Sequence, residues 1–104
     1  IAGANTLVTG CDILDCDTNG IRLDAAELRI IGCRVFSAGG NGIVTTSSGD
    51  DILITACTVK DSSSYSIQLD ADVESCVVVA CRVDSAVEDG SGTSTVASND
   101  EDGF

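Results

Sequence analysis

Thr9-Gly10-Cys11-Asp12-Ile13, Ile31-Gly32-Cys33-Arg34-Val35, Thr55-Ala56-Cys57-Thr58-Val59 and Val79-Ala80-Cys81-Arg82-Val83 are four versions of one phrase, with their cysteines 22, 24 and 24 residues apart. Each reads small residue, Cys, variable residue, then Ile or Val. Three residues before each Cys stands Val8, Ile30, Ile54 or Val78, and five before stands Thr6, Leu28, Ile52 or Cys76. Eight residues after each Ile or Val, a further alternating segment opens at Ile21, Ile43 and Ile67. The fourth unit departs from this rule, because Ser91 stands where an apolar residue is expected.

A unit of 22 to 24 residues carrying three short period-2 segments, parted by Gly, Asn, Asp and Ser, has the length of one coil of a three-sided parallel β-solenoid. The expected fold is therefore all-β: a right-handed, single-stranded parallel β-helix of about four coils over residues 1–88. Residues 89–104 form an irregular, acidic tail or cap of the same domain. Coils should stack about 4.8 Å apart, so that equivalent side chains lie over one another. Cys11, Cys33, Cys57 and Cys81 then make an inward ladder, as do Ile13, Val35, Val59 and Val83. Gly10, Gly32, Ala56 and Ala80 occupy a tight corner that favours small residues. A leucine-rich or other α/β repeat would need a helical segment in each unit, and none has the periodicity. An antiparallel sandwich would give no reason for near-constant cysteine spacing.

Over residues 5–83 this phrase resembles the parallel β-helix repeat of the pectin-lyase-like superfamily, whose members include polysaccharide lyases, glycoside hydrolases, mannuronan epimerases and phage tailspikes. In character it is closest to tailspike and tail-fibre β-helices. The resemblance implies a coil, but says little about activity, because the repeat encodes packing and not a site.

The chain has 104 residues, enough for one domain, and 43% of them are hydrophobic. Seventeen acidic against five basic residues give a net charge of −12, which opposes nonspecific attraction to nucleic acid or anionic lipid. No apolar run is long enough for membrane insertion. With no His, Ser-His-Asp triads, Cys-His pairs and His-ligated metal sites are excluded within this chain. One Tyr, two Phe and no Trp leave little aromatic surface on which sugars or bases could stack. Ile1 to Ala4 show neither a signal pattern nor a cap, which points to a longer parent with coils upstream.

Six cysteines admit a disulfide framework by count. Their inward positions favour unbridged packing instead, since buried free Cys behaves as a small hydrophobe. No C-x-x-C pair supports zinc. Cys76 joins the Leu28/Ile52 column, and Cys16 falls in a loop. Alternation also sends Leu7, Ile31, Leu53, Val77 and Val79 outward, an apolar stripe that asks for a cover. Side-by-side packing of coils into a homotrimer would bury it. The other candidate cover is the tail from Glu88 to Phe104.

Catalytic raw material is limited to carboxylates: Asp15 with Asp17, Asp50 with Asp51, Asp70 with Asp72 and Glu74, and Asp84 with Glu88 and Asp89. Turn chemistry accounts for Asp at such positions, and no catalytic residue is assigned. No cofactor is expected, with Ca²⁺ at Asp70/Asp72/Glu74 or Asp100/Glu101/Asp102 as the one candidate. The resulting expectation is a structural or adhesive module of a phage tailspike, tail fibre or similar virion surface protein. Its setting is extracellular or on the virion, in contact with host-surface polysaccharide. Alternatives are a fragment of a polysaccharide lyase, hydrolase or epimerase, and a bacterial secreted or cell-surface repeat scaffold.

Overall fold

Three left-handed backbone positions turn the chain in each of the first three coils, and the first two of them recur among the described residues of the fourth. In the computed structural model, which describes residues 3–47, 50–73, 75–84, 87–90 and 95–97, positive φ angles fall at Asn5, Glu27, Asp51 and Ser75, then at Gly10, Gly32, Ala56 and Ala80, and then at Asp15, Ser37 and Asp61. A left-handed residue reverses the pleat locally and lets a short strand leave at an angle to the one before it. The intervening segments have room for strands of only two or three residues.

The first coil comprises β1 (Leu7–Thr9), β2 (Asp12–Leu14) and β3 (Ile21–Leu23); the second, β4 (Arg29–Ile31), β5 (Arg34–Phe36) and β6 (Ile43–Thr45). The third comprises β7 (Leu53–Thr55), β8 (Thr58–Lys60) and β9 (Ile67–Leu69); the fourth, β10 (Val77–Val79), β11 (Arg82–Val83) and β12 (Val87–Asp89); β13 (Thr95–Ala97) follows. They assemble into three all-parallel sheets. Sheet A runs β1-β4-β7-β10-β13, sheet B β2-β5-β8-β11, and sheet C β3-β6-β9-β12. The protein is thus an all-β parallel solenoid.

Stacking sorts the side chains. Inside sheet A lie Val8, Ile30, Ile54 and Val78, and inside sheet B lie Ile13, Val35, Val59 and Val83, each in register with the next. Ile21, Ile43 and Ile67 line the inside of sheet C. Except for Val8 and Ile13 in the end coil, which are partly covered, these residues are buried. Each fully buried Leu or Ile contributes about 1.5–3 kcal/mol relative to an exposed one. The core is therefore a set of columns, each coil supplying the lid of the next.

Side-chain ladders reinforce the stack at the entry to sheet C. Asn19 Oδ1 accepts the Asn41 amide at 3.1 Å, and Asn41 Oδ1 accepts the Tyr65 amide at 3.0 Å. The Asn41 Nδ2 group also donates to Gln68 Oε1 at 2.9 Å. Gly20 and Gly42 follow these asparagines where the coils approach closely. A Cβ on Gly42 would stand 2.2 Å from Val59 Cγ1 and 2.5 Å from the Ser66 carbonyl oxygen. Thr45 puts a hydroxyl inside sheet C, where it accepts the Asp70 amide at 2.9 Å.

The fourth coil differs from the spacing rule, for a simple reason. Inward residues of sheets B and C are eight apart in the pairs Ile13/Ile21, Val35/Ile43 and Val59/Ile67, but only four apart between Val83 and Val87. Val87, rather than a residue near Ser91, stacks on Ile67. Ser91 itself lies outside the described residues. The acidic tail also supplies a strand, since β13 pairs with β10 through Val78↔Val96.

Candidate functional site

Cysteine placement follows from the corner between sheets A and B. The left-handed residue at 10, 32, 56 or 80 swings the next side chain inward, and the backbone carbonyls of Cys11, Cys33 and Cys57 accept amides from Arg34, Thr58 and Arg82 of the following coil at 2.8–2.9 Å. Cys33, Cys57 and Cys81 are buried. Each thiol reaches back to the coil before it: Cys33 Sγ donates to the Val8 carbonyl at 3.7 Å, Cys57 Sγ to that of Ile30 at 3.6 Å, and Cys81 Sγ to that of Ile54 at 3.8 Å.

Cys11 departs from the inward burial expected of it. It sits in the first of the described coils, whose strands β1, β2 and β3 are the outermost of their sheets, and it is exposed in this structure. Cys76 is buried below Ile52, whose carbonyl accepts the Val77 amide at 2.8 Å, and Cys16 is half-buried. All six thiols are free. Burial pushes the Cys33 thiol above its ordinary range. A hydrogen bond with Cys81, together with burial, holds the Cys57 thiol well above that range. These buried groups are neutral packing elements.

The outer face of sheet A carries two columns in register: Leu7, Arg29, Leu53 and Val77, then Thr9, Ile31, Thr55 and Val79. Leu7, Ile31, Leu53, Val77 and Val79 therefore share one face. Leu7 is 48% exposed and the other four are partly exposed. β13 extends this sheet at its edge beside β10, so residues 95–97 do not lie across the face. The rest of the tail lies outside the described residues.

Sheet B presents different chemistry. Its outer columns are Asp12, Arg34, Thr58 and Arg82, and Leu14, Phe36 and Lys60. Three of the chain's five basic residues thus share one face with a Phe. The Arg34 guanidinium lies 4.9 Å from the Phe36 ring centroid and 3.8 Å from Asp12 Oδ1. The alignment of Arg34 and Arg82 beside Asp12 is legible from sequence alternation. Phe36 and Lys60 are not singled out by it, although their place two residues after Arg34 and Thr58 would have shown them to share that face.

Carboxylates occupy the turns. Asp70 Oδ1 accepts the Asp72 amide at 2.9 Å, a local use of a turn carboxylate, and Asp84 Oδ2 accepts the Asp61 amide of the preceding coil at 2.9 Å. On the rim of sheet C, Arg22 Nε donates to Asp24 Oδ1 at 2.9 Å, and that bond holds the Asp24 carboxyl below its ordinary range. Among the described residues no group of three Cys, Asp or Glu side chains is arranged to hold a metal ion. Glu74 and the Asp100/Glu101/Asp102 cluster lie outside those residues.

A family model described as the right-handed beta helix region matches residues 1–83, and the chain belongs to that family. No curated protein and no solved structure matches the chain by similarity.

Proposed function

We propose that the chain is a structural and adhesive module of a virion surface protein of the phage tailspike or tail-fibre kind, acting outside the cell as a homotrimer. One observation carries this reading: Leu7, Ile31, Leu53, Val77 and Val79 stand together on the outer face of the longest sheet, where partly exposed apolar side chains gain by being covered. Packing sheet A of three copies around a common axis buries that face. Sheets B and C are then turned outward, and Arg34, Phe36, Lys60 and Arg82 offer hydrogen-bond donors and an aromatic face to a surface polysaccharide.

Sedimentation of the chain at micromolar concentration tests the assembly, and a trimer is expected. Leu53→Glu with Val77→Glu should give a folded monomer. A monomeric parent chain overturns the reading. Incubation with acidic and neutral polysaccharides separates adhesion from the rival reading of a carbohydrate-active enzyme fragment: retention without shortening of the polymer is expected, and depolymerisation lost on changing a turn carboxylate overturns it.

A further inference from the structure

Sheet A is bounded by two edges of unlike charge. The edge toward sheet B is formed by the uncharged corner residues Gly32, Ala56 and Ala80, and the first outward column beyond it holds Arg34, Thr58 and Arg82, both arginines exposed. Asp12, 3.8 Å from Arg34, is the acidic member of that column. The edge toward sheet C is acidic: Asp24, Glu27, Asp50, Asp51, Asp70 and Asp72 fall in the segments that join β3 to β4, β6 to β7 and β9 to β10. Arg22, paired with Asp24, and Arg29, at the start of β4, are the basic residues near it. Glu27 and Asp51 are exposed and hold the same left-handed corner of adjacent coils, at φ of 60° and 55°. Two carboxylates stacked in this way, on backbones about 4.8 Å apart, repel, and a cation laid along the edge relieves the repulsion.

We propose that these two edges meet between copies of the chain and fix the assembly as parallel, with Arg34 and Arg82 of one copy lying along the acidic edge of the next. The inference rests on the burial of the sheet A face between copies proposed above. When copies are related by rotation about an axis parallel to the solenoid, as in a trimer, the edge toward sheet B of each copy abuts the edge toward sheet C of its neighbour at the same coil height. Arg34 then stands against the partner subunit's Glu27, since both belong to the second coil, and Arg82 against the partner subunit's Asp72. When copies run antiparallel, like edges meet, and acidic edge faces acidic edge on chains that each carry a net charge of −12. Complementary charge at the rim of an apolar interface selects orientation and register more than raw affinity. An arginine has five donors, so pairing across the seam leaves part of each guanidinium for a polysaccharide.

Sedimentation of the whole chain and its charge variants at one ionic strength is the test, with circular dichroism to show that each variant is folded. Arg34→Glu and Glu27→Lys should each weaken association by about tenfold or more. A chain carrying both changes should recover most of that loss, because the pair is re-formed with its signs exchanged. The two positions stand on opposite edges of one prism with β4 between them, so recovery reports a contact between copies and not within one. If Arg34→Glu does not fold, the same cycle on Arg82→Glu and Asp72→Lys decides. Tighter association of Arg34→Glu than of the parent shows that like edges meet. Unchanged association, or a double variant no better than the singles, shows that the edges do not touch. Either result overturns the proposal and leaves a trimer in place, whereas a monomeric parent overturns the reading it rests on and the proposal with it.

Discussion

The side-chain oxygen of Asn41 accepts the backbone amide of Tyr65, one coil further on, at 3.0 Å. That bond adds to the backbone bond of the same turn, in which the Gly42 amide donates to the Tyr65 carbonyl at 3.1 Å, and the Asn41 Nδ2 group donates to Gln68. Asn41→Ala leaves a partly buried amide unpaired and should destabilise the fold by about 1–3 kcal/mol. Asn41→Asp keeps the acceptor and should cost less. Urea denaturation of the two variants, compared at equal m-value, checks the order.

Ala56 and Ala80 sit at φ of 55° and 56°, in the column where the two preceding coils place Gly10 and Gly32. An L side chain in this region is strained by roughly 1–2 kcal/mol, part of which glycine's larger unfolded-state entropy offsets. Ala56→Gly and Ala80→Gly should each raise stability by about 0.5–1 kcal/mol, and Gly32→Ala should lower it by a similar amount. A higher thermal midpoint for the double glycine variant is the readout.

Gly42→Ala should be among the more damaging single-methyl changes in the molecule. The added carbon meets the Ser66 carbonyl oxygen at 2.5 Å, and backbone cannot yield as a side chain can. Overpacking of this kind costs about 1–3 kcal/mol. A shift of the urea midpoint smaller than that of Asn41→Ala would contradict the packing described at this corner.

Asp24 gives the clearest pH dependence. Its carboxyl titrates below the ordinary 3.8, chiefly because of the Arg22 hydrogen bond and secondarily with help from Thr46, against some desolvation. Since folding lowers this value, the ionised form favours the folded state: its contribution is present at neutral pH and is lost as pH falls through the folded-state value. In Arg22→Gln the Asp24 carboxyl should return toward 3.8, observed by carbon NMR titration. An unchanged titration would remove Arg22 as the cause.

What sequence reading reached here, and what it missed, follows from which constraints leave a chemical trace. The corner before each cysteine needs a left-handed residue and an inward side chain in succession, so Gly10, Gly32 and the repeated Cys make it visible. The other corners need the same backbone but accept Asn5, Glu27, Asp51 and Ser75, or Asp15, Ser37 and Asp61, with no residue type in common. They read as ordinary turns. Asn19-Gly20-Ile21 and Asn41-Gly42-Ile43 did carry the signature of the asparagine ladder, and its break at Tyr65-Ser66-Ile67 obscured it. The fourth coil showed only as a break at Ser91, and Val87 was not picked out, because the spacing of eight in three coils shortens to four there. The apolar face of sheet A followed directly from alternation. On sheet B the Arg34/Arg82 column followed in the same way, while Phe36 and Lys60, two residues further along their strands, were not singled out by the repeat.

Five residues separate the inward positions of sheets A and B in all four coils: Val8/Ile13, Ile30/Val35, Ile54/Val59 and Val78/Val83. The other two edges of the prism vary in length. Winding is therefore governed along a single spine, while the remaining edges tolerate insertion and deletion. Foreign loops grafted between sheets B and C, or between C and A, would be carried at fixed height on a rigid post. The same graft at residues 56 or 80 would unwind it.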